Sequence, residues 1–115
     1  VQTCALPISK TILMSDVLIP VPVLEQVARR FKLLGDPVRL RILNYLHTCQ
    51  EASVQDIVEA TSQSQANVSK HLRALSNESL VDKRKDGLYV YYRVNDPTLP
   101  ALCMLVCGRL ESNTE

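Results

Sequence analysis

Apolar residues recur with helical spacing from about Leu24. Leu24, Val27, Ala28, Phe31 and Leu34 fall at three- and four-residue steps, with Glu25, Arg29, Arg30 and Lys32 on the other side. Gly35 predicts a C-terminal stop. Asp36-Pro37 predicts a new start, since aspartate is a good N-cap and proline is preorganised for the first helical position. The second helix carries Val38, Leu40, Ile42, Leu43, Tyr45 and Leu46, an apolar arc wide enough to place it in the core, and His47 to Gln50 reads as its frayed end. Ser53, with Asp56 three residues on, forms a capping-box variant ahead of a short helix that turns Val54, Ile57 and Val58 inward. Thr61-Ser62-Gln63 is a polar break. Ser64 then caps a helix whose Val68, Leu72 and Leu75 form one stripe, leaving Gln65, Asn67, Ser69, Lys70 and Arg73 on the remaining face.

Beyond Leu80 the spacing changes from helical to alternating. Leu80–Lys85 and Leu88–Val94 predict two strands joined at Asp86-Gly87, a dipeptide suited to a two-residue type I′ turn. In the second strand Leu88, Val90, Tyr92 and Val94 share one face, and Tyr89, Tyr91 and Arg93 the other. Asp96-Pro97 opens a last helix with Leu99, Cys103, Val106 and Leu110 in register, flanked by Leu102, Leu105 and Cys107. A terminal helix that is apolar on more than one side is expected to pack on another chain. The pattern therefore predicts a mainly α domain with one β-hairpin over 23–111, a disordered arm over 1–22 and a short tail over 112–115. Residues 1–8 match no element and resemble the translated read-through of a sequencing adapter, so they and Cys4 are set aside.

Composition narrows the class without choosing it. A chain of 115 residues, 46% hydrophobic and 22% charged, suits one globular domain with a single core. No apolar run approaches the roughly 20 residues of a membrane span, so no membrane partner is expected. Net charge is only +1, but its distribution is uneven. From Ser62 to Arg93 six cations (Lys70, Arg73, Lys83, Arg84, Lys85, Arg93) stand against three acids (Glu78, Asp82, Asp86). A locally basic half on a near-neutral chain fits a nucleic-acid partner. The four cysteines are irregularly spaced, which predicts a cytoplasmic, nucleoid-associated protein with reduced thiols. A thiol enzyme is not expected, because there is no Cys-x-x-Cys at a helix start, no base beside a nucleophile and no phosphate-cradling loop.

Two short helices joined by a tight turn and followed by a hairpin give the order of a winged helix-turn-helix. Its second helix must bury one stripe and offer hydrogen-bonding groups to base edges, and Gln65, Asn67, Ser69 and Lys70 supply that set. Lys83, Arg84 and Lys85 would bring cations to the DNA backbone or minor groove at the hairpin. The competing reading is a winged helix that mediates protein contacts without binding DNA, and the four cations Lys70, Lys83, Arg84 and Lys85 argue against it.

LGDPVRLRIL, SQANVSKHLRAL and LVDKRKDGLYVYYRV resemble the signature segments of the ArsR/SmtB family of repressors, in the expected order and over most of the chain from about Leu24 to Leu110. The resemblance implies a homodimer built from the first and last helices, which represses transcription until an effector lowers its affinity for double-stranded operator DNA. By position it places Ser64, Gln65, Asn67, Ser69 and Lys70 in the DNA-reading helix, with His71 at a recurrent family position open to either a structural role or a phosphate contact. Ser79 stands where the family usually has glycine. The metal-binding ELCVCDL segment of many relatives corresponds here to Glu51–Ile57, with Ser53 and Gln55 in place of thiolates, and no histidine follows His71 to build a zinc site on the last helix. Candidate effector residues are Cys103 and Cys107, an i, i+4 pair about 6 Å apart on one helix face, with Cys49 as a possible further ligand. His47 beside Cys49 is a weaker pair. No cofactor is required; trivalent arsenic or antimony, another soft metal, a persulfide or an oxidant would suit such thiols as inducer, and packing alone is the competing role.

Overall fold

The computed structural model describes residues 18–96 and 98–112. Five helices and three strands follow in the order α1 (Val21–Leu34), α2 (Pro37–Cys49), β1 (Ala52–Ser53), α3 (Val54–Thr61), α4 (Gln65–Asn77), β2 (Val81–Asp86), β3 (Tyr89–Val94) and α5 (Thr98–Ser112). Of the expected arm over 1–22 and tail over 112–115, residues 1–17 and 113–115 lie outside the described residues. Helix α1 begins at Val21, ahead of the expected boundary at 23, because Pro20 and Pro22 occupy first-turn positions that need no amide donor.

Local chemistry sets most of the joints. The Asp36 carboxylate accepts from the amides of Val38 and Arg39 at 2.8 and 3.2 Å and starts α2. Ser53 and Asp56 form a complete reciprocal capping box on α3, with the Asp56 amide 3.1 Å from Ser53 Oγ and the Ser53 amide 3.2 Å from Asp56 Oδ2. Ser62, in the left-handed conformation at φ 57°, turns the chain between α3 and α4. The core gathers Ile42, Leu43 and Leu46 of α2, Ile57 of α3, and Val68, Leu72 and Leu75 of α4. Ala52, Leu80, Val81 and Leu99 close it. No helix among the described residues is long and apolar enough to cross a membrane.

The sequence pattern missed or misplaced several details. Two residues before α3 form β1, and the sheet order is β1-β3-β2, with Ala52 opposite Tyr92 and Ser53 opposite Tyr91. A strand this short leaves no alternating pattern to read. The hairpin register pairs Asp86 with Tyr89, so the two turn residues are Gly87 and Leu88 rather than Asp86 and Gly87. Gly87 alone has positive φ, at 63°, which matches a type II′ turn instead of type I′. Leu88 is consequently 97% exposed at the tip and not on the inner face of β3. Gly35 has φ −83° and no left-handed cap; its amide returns to the Lys32 carbonyl, and the extended Asp36 starts α2 immediately afterwards.

Candidate nucleic-acid interface

Helix α4 is anchored by an inner stripe wider than its aliphatic residues alone. Val68, His71, Leu72 and Leu75 are all buried, at i, i+3, i+4 and i+7. Gln65, Lys70 and Arg73 are exposed, while Asn67 and Ser69 are half-buried. Ser64 Oγ accepts from the Asn67 amide at 3.1 Å, so this hydroxyl is committed to capping the helix. The Asn67 side chain donates to Gln63 Oε1 at 2.7 Å, which occupies one of its amide hydrogens. The solvent-facing arm of the candidate set is therefore Gln65, Lys70 and Arg73, with Ser69 and Asn67 beside it.

His71 belongs to the opposite side. It is 5% exposed, and its Nδ1 accepts from Arg39 Nε at 3.1 Å. Burial holds its pKa below the ordinary 6.5, against the pull of Asp36 and with the support of Arg39 and Lys70. Buried and already bonded to Arg39, the ring sits in the core stripe, which favours the structural one of its two open roles over a phosphate contact. Its place in the inner stripe was legible from its spacing to Val68 and Leu75; the partner Arg39 gave no signal in sequence.

The far end of α4 turns into the hairpin through a full Schellman motif. The Leu80 amide reaches the Leu75 carbonyl at 3.0 Å and the Ser79 amide reaches that of Ser76 at 2.9 Å. Ser79 adopts φ 60°, the left-handed conformation that glycine takes without strain. With serine in place of glycine the turn keeps the glycine conformation, at a cost in backbone strain.

Strand alternation divides the cations of the hairpin. Lys83 and Lys85 pair across to Tyr92 and Val90, whereas Arg84 lies opposite Tyr91 on the other face. Arg84 is not free: both its Nε and Nη2 donate to Glu51 at 2.8 Å, it stands 3.6 Å from Asp86, and it covers the Tyr91 ring at 4.9 Å. This bidentate pair holds the Glu51 carboxyl below the usual carboxylate range and raises the already high pKa of the guanidinium. Arg84 therefore braces the wing against the loop before α3, a role the sequence gave no means to foresee. Lys70, Arg73, Lys83 and Lys85 carry no ion-pair partner among the described residues. Of the candidate cations, these four are the ones left available to an anionic partner.

The cysteines among the described residues are all exposed: Cys49 at the end of α2, Cys103 and Cys107 on α5. Among the described residues of one chain no three of His, Cys, Asp and Glu come together as a metal cluster. Cys107 Sγ lies 3.5 Å from Glu111 Oε2, and this neighbour pushes its thiol pKa up, away from the thiolate that soft metals need. Cys103 also borders an apolar cavity of about 260 Å³ between α2 and α5, which brings His47 rather than Cys49 to its rim.

A model of the family described as "Bacterial regulatory protein, arsR family" matches residues 36–83, from the α2 cap to the wing. The arsenical resistance operon repressor of Escherichia coli (strain K12) is 41% identical over 71 residues, which cover 62% of this chain. The chain spans only 60% of that repressor's length. An uncharacterized HTH-type transcriptional regulator of Methanocaldococcus jannaschii is 33% identical over 82 residues, 71% of this chain and 92% of that protein. Among solved structures, a homodimeric winged helix-turn-helix DNA-binding domain from Mycobacterium bovis, a possible ArsR-family regulator, superposes with a TM-score of 0.73 at 32% identity, covering 86% of this chain and 91% of that one.

Proposed function

The chain belongs to the ArsR family of transcriptional regulators, and from that premise we propose that it is a repressor that binds double-stranded operator DNA as a homodimer. The carrying observation is the division of α4: one stripe is fixed in the core while Gln65, Lys70 and Arg73 stay exposed, and the hairpin that follows bears Lys83 and Lys85 without ion-pair partners. Gln65 and the half-buried Asn67 and Ser69 suit base edges, and the four lysine and arginine side chains suit phosphates. Second-copy packing is supported by apolar side chains left uncovered on α1 and α5. Phe31, Met104, Leu105, Val106 and Leu110 are each more than half exposed.

Release by an effector is assigned to α5. Cys103 and Cys107 share one helix face within the surface proposed for the dimer, and a second copy would bring two more thiols to it. Three thiolates satisfy trivalent arsenic or antimony, and the same thiols would take up sulfur from a persulfide or yield to an oxidant.

Titrating the reduced protein on a duplex of the DNA upstream of its own coding sequence tests both parts. Binding that weakens steeply with salt is expected, with Lys70→Ala weakening all duplexes alike and Gln65→Ala relaxing preference at particular bases. Arsenite or a persulfide donor is expected to release the wild type but not the Cys103→Ser, Cys107→Ser double variant. No salt-dependent binding would overturn the DNA reading. A double variant still released by arsenite and by the persulfide donor would remove the sensor from α5, and a wild type released by neither would make this a regulator without thiol sensing.

A further inference from the structure

The inner side of α4 carries a polar junction that DNA reading does not itself use. Arg39 Nε donates to His71 Nδ1 at 3.1 Å, and Arg39 Nη1 reaches the Leu33 carbonyl, in the last turn of α1, at 3.4 Å. The first turn of α2 thus joins the end of α1 to the middle of α4 through one guanidinium. We infer that Arg39 and His71 are positioning residues for DNA reading, a clamp that holds α4 against α1 and α2 only while His71 is neutral. The inference rests on the DNA-binding reading above.

The chemistry of the bond sets this condition. An imidazole that accepts at Nδ1 carries its single proton on Nε2. A second proton must enter at Nδ1, facing the Nε–H of Arg39. Donor then meets donor, and two cations adjoin in a site largely removed from water. The bond is lost, and Arg39 is driven from its seat between the three helices. The charged groups acting on the ring are Asp36 and Arg39 from the α2 side and Lys70 on its own helix. Asp36 favours the imidazolium, the two cations oppose it, and burial is the largest influence. Because the folded pKa lies below the ordinary 6.5, the clamp is complete above that value and is lost as pH falls through the folded pKa.

The test compares wild type with His71→Asn, whose Oδ1 can accept near the Nδ1 position without titrating, and with His71→Leu, which cannot accept at all. Anisotropy of a labelled duplex of the DNA upstream of the protein's own coding sequence is followed from about pH 7.5 to about pH 5.5. In parallel, amide-exchange protection factors of α4 and the His71 ring signals are followed by NMR in the DNA-free protein. Wild-type affinity is expected to fall several-fold more than that of His71→Asn, and α4 protection to fall in step with ring protonation only in the wild type. His71→Leu is expected to bind weakly throughout, without the added pH dependence. Equal pH profiles for wild type and His71→Asn would overturn the inference, as would α4 protection that stays constant while the ring titrates. A wild type that binds no duplex at the higher pH would sink the DNA reading, and the exchange data would still decide the clamp. If His71→Asn fails to fold, the coincidence of ring titration and α4 opening in the wild type decides it alone.

Discussion

Helices α4 and α1 are both amphipathic, yet they end differently. Helix α4 buries Val68, His71, Leu72 and Leu75 in a core shared with α2, α3 and the base of the hairpin. Helix α1 buries no residue, although Arg29 pairs with Glu78 at 3.4 Å and Arg30 pairs with Asp96, which pin it to the end of α4 and the start of α5. Among its described side chains helix α5 buries only Leu99, and it leaves Met104, Leu105 and Leu110 between 62% and 71% exposed. The same periodicity is thus satisfied within the chain in one half and left open in the other. A closed half that presents polar groups and an open half that presents apolar ones are the complementary needs of a dimeric DNA reader.

The sharpest way to break this contrast is to mutate each half. Leu72→Ala, deep in the closed half, is expected to cost about 2–5 kcal/mol of stability, read by thermal or denaturant unfolding. Leu105→Asp with Leu110→Asp is expected to leave the domain folded, with dispersed hairpin NMR signals, and to yield a monomer in sedimentation. A double variant that unfolds as Leu72→Ala does would show that the two halves are not separable.

A smaller effect divides the wing itself. Replacing Lys83 and Lys85 together by Ala is expected to lower the steepness of log K against log salt by about 2, one phosphate contact for each lysine. Arg84→Ala should leave that slope unchanged and instead loosen the wing, because its guanidinium is held by Glu51 and Tyr91. Equal slopes for Arg84→Ala and the lysine pair would contradict the division. Smallest is Ser79→Gly, which relieves the left-handed strain and should stabilise by about 0.5–1 kcal/mol, seen as a higher denaturant midpoint at constant slope. An unchanged or lowered midpoint would mean that the serine pays no such penalty.

Whatever was encoded by spacing was legible in the sequence. The caps at Asp36, Ser53 and Ser64, the stripes of α1 to α4 and the switch to alternation after Leu80 all follow from local periodicity. Features that depend on a distant partner were not. Strand β1 exists only because β3 lies beside Ala52, and the hairpin register is set by the pairing of Asp86 with Tyr89 rather than by the Asp-Gly dipeptide. Strand alternation sets Arg84 on the other face from Lys83, but nothing local pointed to its partner Glu51, 33 residues away. His71 was half legible, since its spacing placed it in the buried stripe but nothing local pointed to Arg39.

The most direct test of the reader assignment is to map backbone and side-chain NMR shifts of the labelled protein as the duplex from upstream of its own coding sequence is added. The largest changes should fall on Gln65, Ser69, Lys70 and Arg73 and on Lys83 and Lys85, with the exposed leucines of α5 unmoved. Changes concentrated on α1 and α5, with α4 and the wing silent, would contradict it.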